Sequence, residues 1–213
     1  MEKSDLFKEF DRQLENLIDK DYHKAIRLSE KTFQNKITPL KSKLERLQLP
    51  DIDLDKGTLP FVIVVKGQLI PSEKVMKLIE KDGKHGVTIL RPLTSENFKA
   101  ISEVKIPDEE IYLLLDIDRG KKNINIPPSG AMKLIKEAGR SPITIDEGIA
   151  LVTQFPEFLI KNNCFSLLAS RTGTDKRVPA IWINGKKEPN LGWCWDGNPH
   201  TWLGSASCMK RIA

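Results

Sequence analysis

Ile111-Tyr112-Leu113-Leu114-Leu115-Asp116-Ile117 is the stretch on which the fold turns. Six of its seven side chains are apolar, and the run is shorter than an ordinary helix. A short, nearly unbroken apolar run of this kind reads as a central strand covered on both faces. Leu59-Pro60-Phe61-Val62-Ile63-Val64-Val65 has the same character, and its β-branched residues favour a second buried strand.

Helices fill the sequence around these strands. On one side, residues 72–81 read as a helix with Val75, Met76, Leu78 and Ile79 facing inward and Gly83 just past its end. A short strand is expected over 86–90 and a short helix over 95–101. On the other side, Pro127-Pro128-Ser129 opens a helix that runs to about Ala138 and is closed by Gly139. Thr144-Ile145-Asp146-Glu147 matches a capping box and begins a helix to about Gln154, which Pro156 ends or restarts. Asp146 and Glu147 invite an acid–base reading, but the helix start accounts for both. Residues 165–170 and 178–183 flank the polar loop Arg171-Thr172-Gly173-Thr174-Asp175-Lys176-Arg177 and are expected to pair as a hairpin.

The first part of the chain is helical in pattern. Phe7, Phe10, Leu14, Leu17 and Ile18 recur at three-to-four spacing, followed by Tyr22, Ala25 and Ile26, then Phe33, Ile37, Leu40, Leu44 and Leu47. The irregular repeat fits two or three helices over 4–48 rather than one coiled coil. This apolar stripe needs a partner, either the rest of the chain or a second subunit in a homodimer; the first is the preferred reading. Residues 49–58 lose the helical pattern and read as a connector. The expected class is α+β: an N-terminal helical segment (1–50) packed on a domain (59–213) with a mixed β-sheet and a β-rich C-terminal tail.

The chain has 213 residues, 39% hydrophobic and 30% charged, a globular balance. No stretch approaches the roughly 18 apolar residues of a membrane span. The first residues carry no apolar core of a secretory signal. Three cysteines without scaffold spacing point to reduced thiols and a cytoplasmic setting. The net charge of +5 is small, but it falls wholly within residues 161–213, together with every tryptophan and every cysteine.

That tail therefore holds most of the candidate chemistry. Cys164, Cys194, His200 and Cys208 form a ligand set that a tetrahedral zinc would accept, although their spacing matches no zinc-finger pattern. Cys194 with His200 would make a thiol nucleophile and its base if the intervening loop returned one to the other. Arg171 and Arg177 on one loop could grip a phosphate or carboxylate. Gly192-Trp193-Cys194-Trp195-Asp196-Gly197-Asn198-Pro199-His200-Thr201-Trp202 places flat aromatic faces beside a histidine, a surface for stacking a ring. Core filling is the plain alternative for these tryptophans. Outside the tail, Asp116 and Asp118 end a buried strand and point the same way, as a Mg²⁺ or acid–base pair would. No phosphate loop, dinucleotide fingerprint, HExxH or nucleophile elbow is present.

Four segments carry a resemblance. They are Gly139-Arg140-Ser141-Pro142-Ile143-Thr144-Ile145-Asp146-Glu147-Gly148, Cys164-Phe165-Ser166-Leu167-Leu168-Ala169-Ser170-Arg171, Arg177-Val178-Pro179-Ala180-Ile181-Trp182-Ile183, and 192–208. Together they resemble a bacterial family known only as a domain of unknown function, met often in actinobacteria. The resemblance implies a bacterial cytoplasmic protein and brings no reaction or substrate.

Binding of a small anionic or aromatic ligand through Arg171, Arg177, Trp193, Trp195, His200 and Trp202 is preferred, because no recognisable catalytic constellation appears. An enzyme using Cys194 and His200, or Asp116 and Asp118, is the alternative; a protein that dimerises through its N-terminal helices is a third. Nucleic acid remains a minor option, since so small a net charge neutralises few phosphates.

Overall fold

In the computed structural model, which describes residues 1–213, the run around Leu114 is a strand paired on both sides. The N-terminal segment comprises α1 (Lys3–Asp19), the single turn α2 (Tyr22–Ala25), α3 (Glu30–Ile37) and a 3-10 stretch, Thr38–Leu44. Next come β1 (Thr58–Val65), α4 (Ser72–Leu78), β2 (Glu80–Lys81), β3 (Lys84–His85), β4 (Val87–Thr88) and β5 (Lys99–Ala100). They are followed by β6 (Ile111–Asp118), α5 (Pro128–Glu137), β7 (Ser141–Pro142) and α6 (Ile145–Gln154). The tail holds β8 (Cys164–Ser166), β9 (Ser170–Arg171), β10 (Arg177–Ile183), β11 (Pro189–Trp195), β12 (Leu203–Ser205) and β13 (Ser207–Ile212).

β6 lies between β1 and β13 in an antiparallel sheet of order β1-β6-β13-β7. A second sheet has the order β12-β8-β10-β11-β4, antiparallel at its centre and parallel at both edges. The class is α+β with a mixed sheet and a β-rich tail, as the apolar runs indicate. Only Ala206 separates β12 in one sheet from β13 in the other. The sheets come close where β6 exits: a Cβ on Gly120 would lie 2.0 Å from the Ser205 carbonyl oxygen, so this turn, at φ +82°, accepts only glycine.

α6 contacts both β1 and β10 and is buried at nine of its ten positions. A helix enclosed on all sides needs apolar residues all round, and Ile149, Ala150, Leu151 and Val152 provide them. Its start is held as the sequence predicts. The Glu147 amide donates to Thr144 Oγ1 at 3.3 Å, and the Thr144 amide donates to Glu147 Oε2 at 2.7 Å.

The N-terminal stripe packs within the chain. Leu6, Phe10, Leu17, Phe33, Ile37 and Leu44 belong to the same apolar core as the residues of β1 and β6. Gln13 completes the join. Its amide donates to the Phe61 carbonyl at 3.1 Å, and its Oε1 accepts from the Ile63 amide at 2.9 Å. One side chain thus takes the place of a neighbouring strand along the open edge of β1. A homodimer built on this stripe would have to compete with that packing. No helix is long and apolar enough to cross a membrane.

Two segments depart from expectation. The helix over 72–81 stops at Leu78, because Asp82 and Gly83 both adopt positive φ (51° and 70°) and turn β2 back on β3. Asp-Gly is a hairpin signal as well as a helix end. The helix expected over 95–101 is one 3-10 turn, Ser95–Asn97, after which β5 pairs with β9. β8 and β10 do pair as the expected hairpin, but residues 167–169 leave the sheet. Neither β5 nor β9 carries a local strand pattern; each forms only because the other is there.

Candidate functional site

β11 alternates its side chains across the second sheet. Cys194 falls on the face of Val178 and packs with Val178, Leu168 and α5, whereas Trp193 and Trp195 fall on the face of Arg177 and Pro179. β4 pairs only with Asn190 and Leu191, so the edge of β11 beyond Leu191 is free. A recess of about 310 Å³ is lined by Trp182, Trp193, Cys194, Trp195, Asn198, His200, Trp202 and Leu203, from β10, β11, β12 and the turn before β12. All four tryptophans therefore border one space.

Their geometry divides them. The Arg177 guanidinium lies over the rings of Trp193 and Trp195, at 4.6 and 5.2 Å from their centroids, and is paired with Asp175. Trp182 and Trp202 meet edge to face at 6.0 Å, and the His200 ring lies 5.1 Å from Trp202. Trp182 reaches this position because residue 192 is glycine: a Cβ there would lie 2.2 Å from the far edge of its ring. His200 Nε2 is enclosed and has no hydrogen-bond partner.

The arginines do not form an open anion clamp. Arg171 donates to Asp196 Oδ1 at 3.3 Å, and Arg177 is held by Asp175. Each charge already has a carboxylate partner.

The zinc set is not assembled. Cys164 is buried on β8, where its thiol donates to the Ile160 carbonyl at 3.2 Å; Cys208 is buried on β13 in the other sheet; only Cys194 and His200 share the recess. No group of three or more His, Cys, Asp or Glu side chains is placed to hold a metal ion. The three cysteines are unpaired. Burial pushes the Cys194 thiol up to about 11 and the Cys208 thiol up to about 12. A nucleophile needs the opposite shift, and His200 Nε2 has no hydrogen-bond partner, the Cys194 thiol included.

Asp116 and Asp118 are also engaged. Arg140 donates to Asp116 Oδ1 at 3.1 Å, and Asp116 itself adopts φ 49°. Asp118 Oδ1 accepts from the Gly120 amide at 2.6 Å. Both close the end of β6 and its turn.

A larger cleft, of about 580 Å³, was not legible in the sequence. It opens where β1 ends, between the loop after Val65, the segment around Phe98 and Pro107, and the start of α6. Its charged lining is Lys66, Glu96, Lys99, Asp108 and Asp146, and Ser72, Tyr112 and Ser170 are among its neutral polar groups. Asp146 accepts from the Gly67 amide at 2.9 Å and from Ser72 Oγ at 3.4 Å. Its neighbour Glu147 points into the core and is bonded by Tyr112 Oη at 2.8 Å and Arg211 Nη2 at 2.8 Å. The capping box thus splits in two, one carboxylate structural and one facing space. The available signal was the position of Lys66-Gly67 just past a buried strand, where α/β folds place ligands.

The molecule is thus an α+β protein with two larger sheets, a buried helix that contacts both, and a recess bordered by four tryptophans. The chain belongs to the family of unknown function DUF5701, whose model matches residues 16–213. No curated protein and no solved structure matches it.

Proposed function

We propose that the protein binds a small molecule with a flat aromatic ring, and that the recess of Trp182, Trp202 and His200 receives it. The observation that carries this reading is the arrangement of the rings. Two of the four tryptophans are covered by Arg177, while Trp182 and Trp202 stand edge to face beside a histidine whose Nε2 has no partner. Core filling would explain buried indoles; it does not explain four partly exposed ones around a single recess, with Trp195 45% exposed. The paired arginines argue for a neutral ring rather than an anion. A cytoplasmic setting, in which the three free thiols stay reduced, is part of this reading.

The test follows the indole N–H resonances of ¹⁵N-labelled protein during titration with indole, nicotinamide and adenosine. At least one ring compound is expected to shift the Trp182 and Trp202 signals, and ribose is expected to shift neither. Trp182→Ala and Trp202→Ala should each weaken binding by about 1–3 kcal/mol, the usual worth of one stacked ring. Gly192→Ala, which displaces Trp182, should act in the same direction. Rings that leave both signals unmoved refute the reading.

A further inference from the structure

The larger cleft shares no lining residue with the tryptophan recess, and its chemistry is different. Its size falls within the range of small-molecule sites. Apolar walls come from Phe98, Ile106 and Ile145, and the partly buried carboxylate of Asp146 stands among them. The two buried glutamates of this chain each have a cation: Glu9 has Arg12 and Glu147 has Arg211. The partly buried Glu73 and Asp118 are held by backbone amides, and Glu73 also by a hydroxyl, instead. Asp146 has no cation either. Lys66, on the same cleft, gives its ammonium to the backbone carbonyls of Pro107 and Asp108 instead. A carboxylate can accept about four hydrogen bonds, and Asp146 receives two, one of them long.

The start of α6 is not an anion site. The Thr144 amide is bonded to Glu147, and the Ile145 amide donates to Ser170 Oγ at 3.0 Å. The lining carries three carboxylates, Glu96, Asp108 and Asp146, against two ammonium groups, Lys66 and Lys99, so an anion would meet a net negative cleft with those amides already taken. A cation would meet an unpaired carboxylate in surroundings of reduced dielectric, where a charge-assisted bond is strong.

We infer that this cleft is a second ligand site, for a small molecule carrying a primary ammonium group, with Asp146 as its counter-ion. The ammonium donates to Asp146, and the rest of the ligand lies against Phe98 and Ile106. This site stands or falls apart from the tryptophan recess.

The experiment titrates ¹⁵N-labelled protein at neutral pH with benzylamine, and in parallel with benzyl alcohol, which has the same ring and no charge. Benzylamine is expected to shift the amide signals of Gly67 and Ser72 and to bind about tenfold or more tighter than the alcohol, the worth of one hydrogen bond to a charged group. Asp146→Asn should remove that preference, and Trp182→Ala should leave it intact. Ala100→Phe, at an exposed position of the lining, should block both probes while the fold is kept. Equal binding of the two probes, no shift at Gly67, or a preference that survives either Asp146→Asn or Ala100→Phe overturns the inference.

Discussion

Arg119 is fully buried and has no carboxylate partner. Its Nη1 donates to the Phe158 carbonyl at 2.9 Å and its Nη2 to the Leu54 carbonyl at 3.1 Å, and its guanidinium lies 5.1 Å from the centre of the Phe158 ring. Desolvation lowers its pKa. In the sequence this arginine reads as part of a polar strand exit, able to pair with Asp118 in solvent. It turns inward instead, where two backbone carbonyls accept from it, while Asp118 accepts from the Gly120 amide. Nothing local distinguishes an arginine in a solvated turn from one that ties the connector to the residues after α6. Arg119→Ala leaves two carbonyls without donors and removes the ring contact, and should cost about 2–5 kcal/mol in urea unfolding. Arg119→Met keeps the volume and drops the buried charge, so it should cost clearly less. Equal losses for the two variants would show that the hydrogen bonds carry the whole effect.

At the scale of elements, legibility followed local signals. β1, β6, α5 and α6 carry their own punctuation: β-branched runs, the Pro-Pro opening, Gly139 at φ 67°, and the Thr144 box. β5 and β9 do not, since two-residue strands are made by their partners. The join of α1 to β1 was half visible. The apolar stripe announced a buried face, but nothing in its pattern marks Gln13 as part of it. Its amide pairs with the backbone of β1, which makes it the most specific contact on that face. Gln13→Leu keeps the stripe apolar yet strands the Phe61 carbonyl and the Ile63 amide. The expected cost is about 2 kcal/mol, or about 4–8 °C in thermal midpoint for a domain of this size. An unchanged midpoint would mean that solvent reaches this edge.

For the molecule as a whole, Asp146 links the site to stability. Burial raises its carboxyl above the ordinary value; Glu147 adds to the rise, while the Gly67 amide, Ser72 and Lys66 oppose it. A carboxyl raised on folding favours the folded state while protonated, below its unfolded pKa of about 3.9. That contribution is lost as pH rises through the folded value. Chemical denaturation of wild type and Asp146→Asn between pH 3 and pH 7 should therefore show the balance moving toward the variant as pH rises. A gap that moves the other way would place Asp146 in an ion pair. The tail drew attention because composition concentrates there, and all four of its tryptophans border one recess. The cleft escaped notice because its lining is ordinary residue by residue; loops far apart in sequence bring it together.

The passage from β12 through Ala206 into β13 has a consequence in time. β13 sets Ser207 against Asp118, so the partner of the central strand lies at the far end of a long stretch of chain. Loop-closure entropy must be met before that pairing stabilises anything, and contacts so distant in sequence belong to domains that fold in about milliseconds to seconds rather than microseconds. Until β13 arrives, β6 has an unsatisfied edge, and β8 lacks β12 in the other sheet. One short segment closes both at once. The completion of these two strand edges and the joining of the two sheets are then the same event.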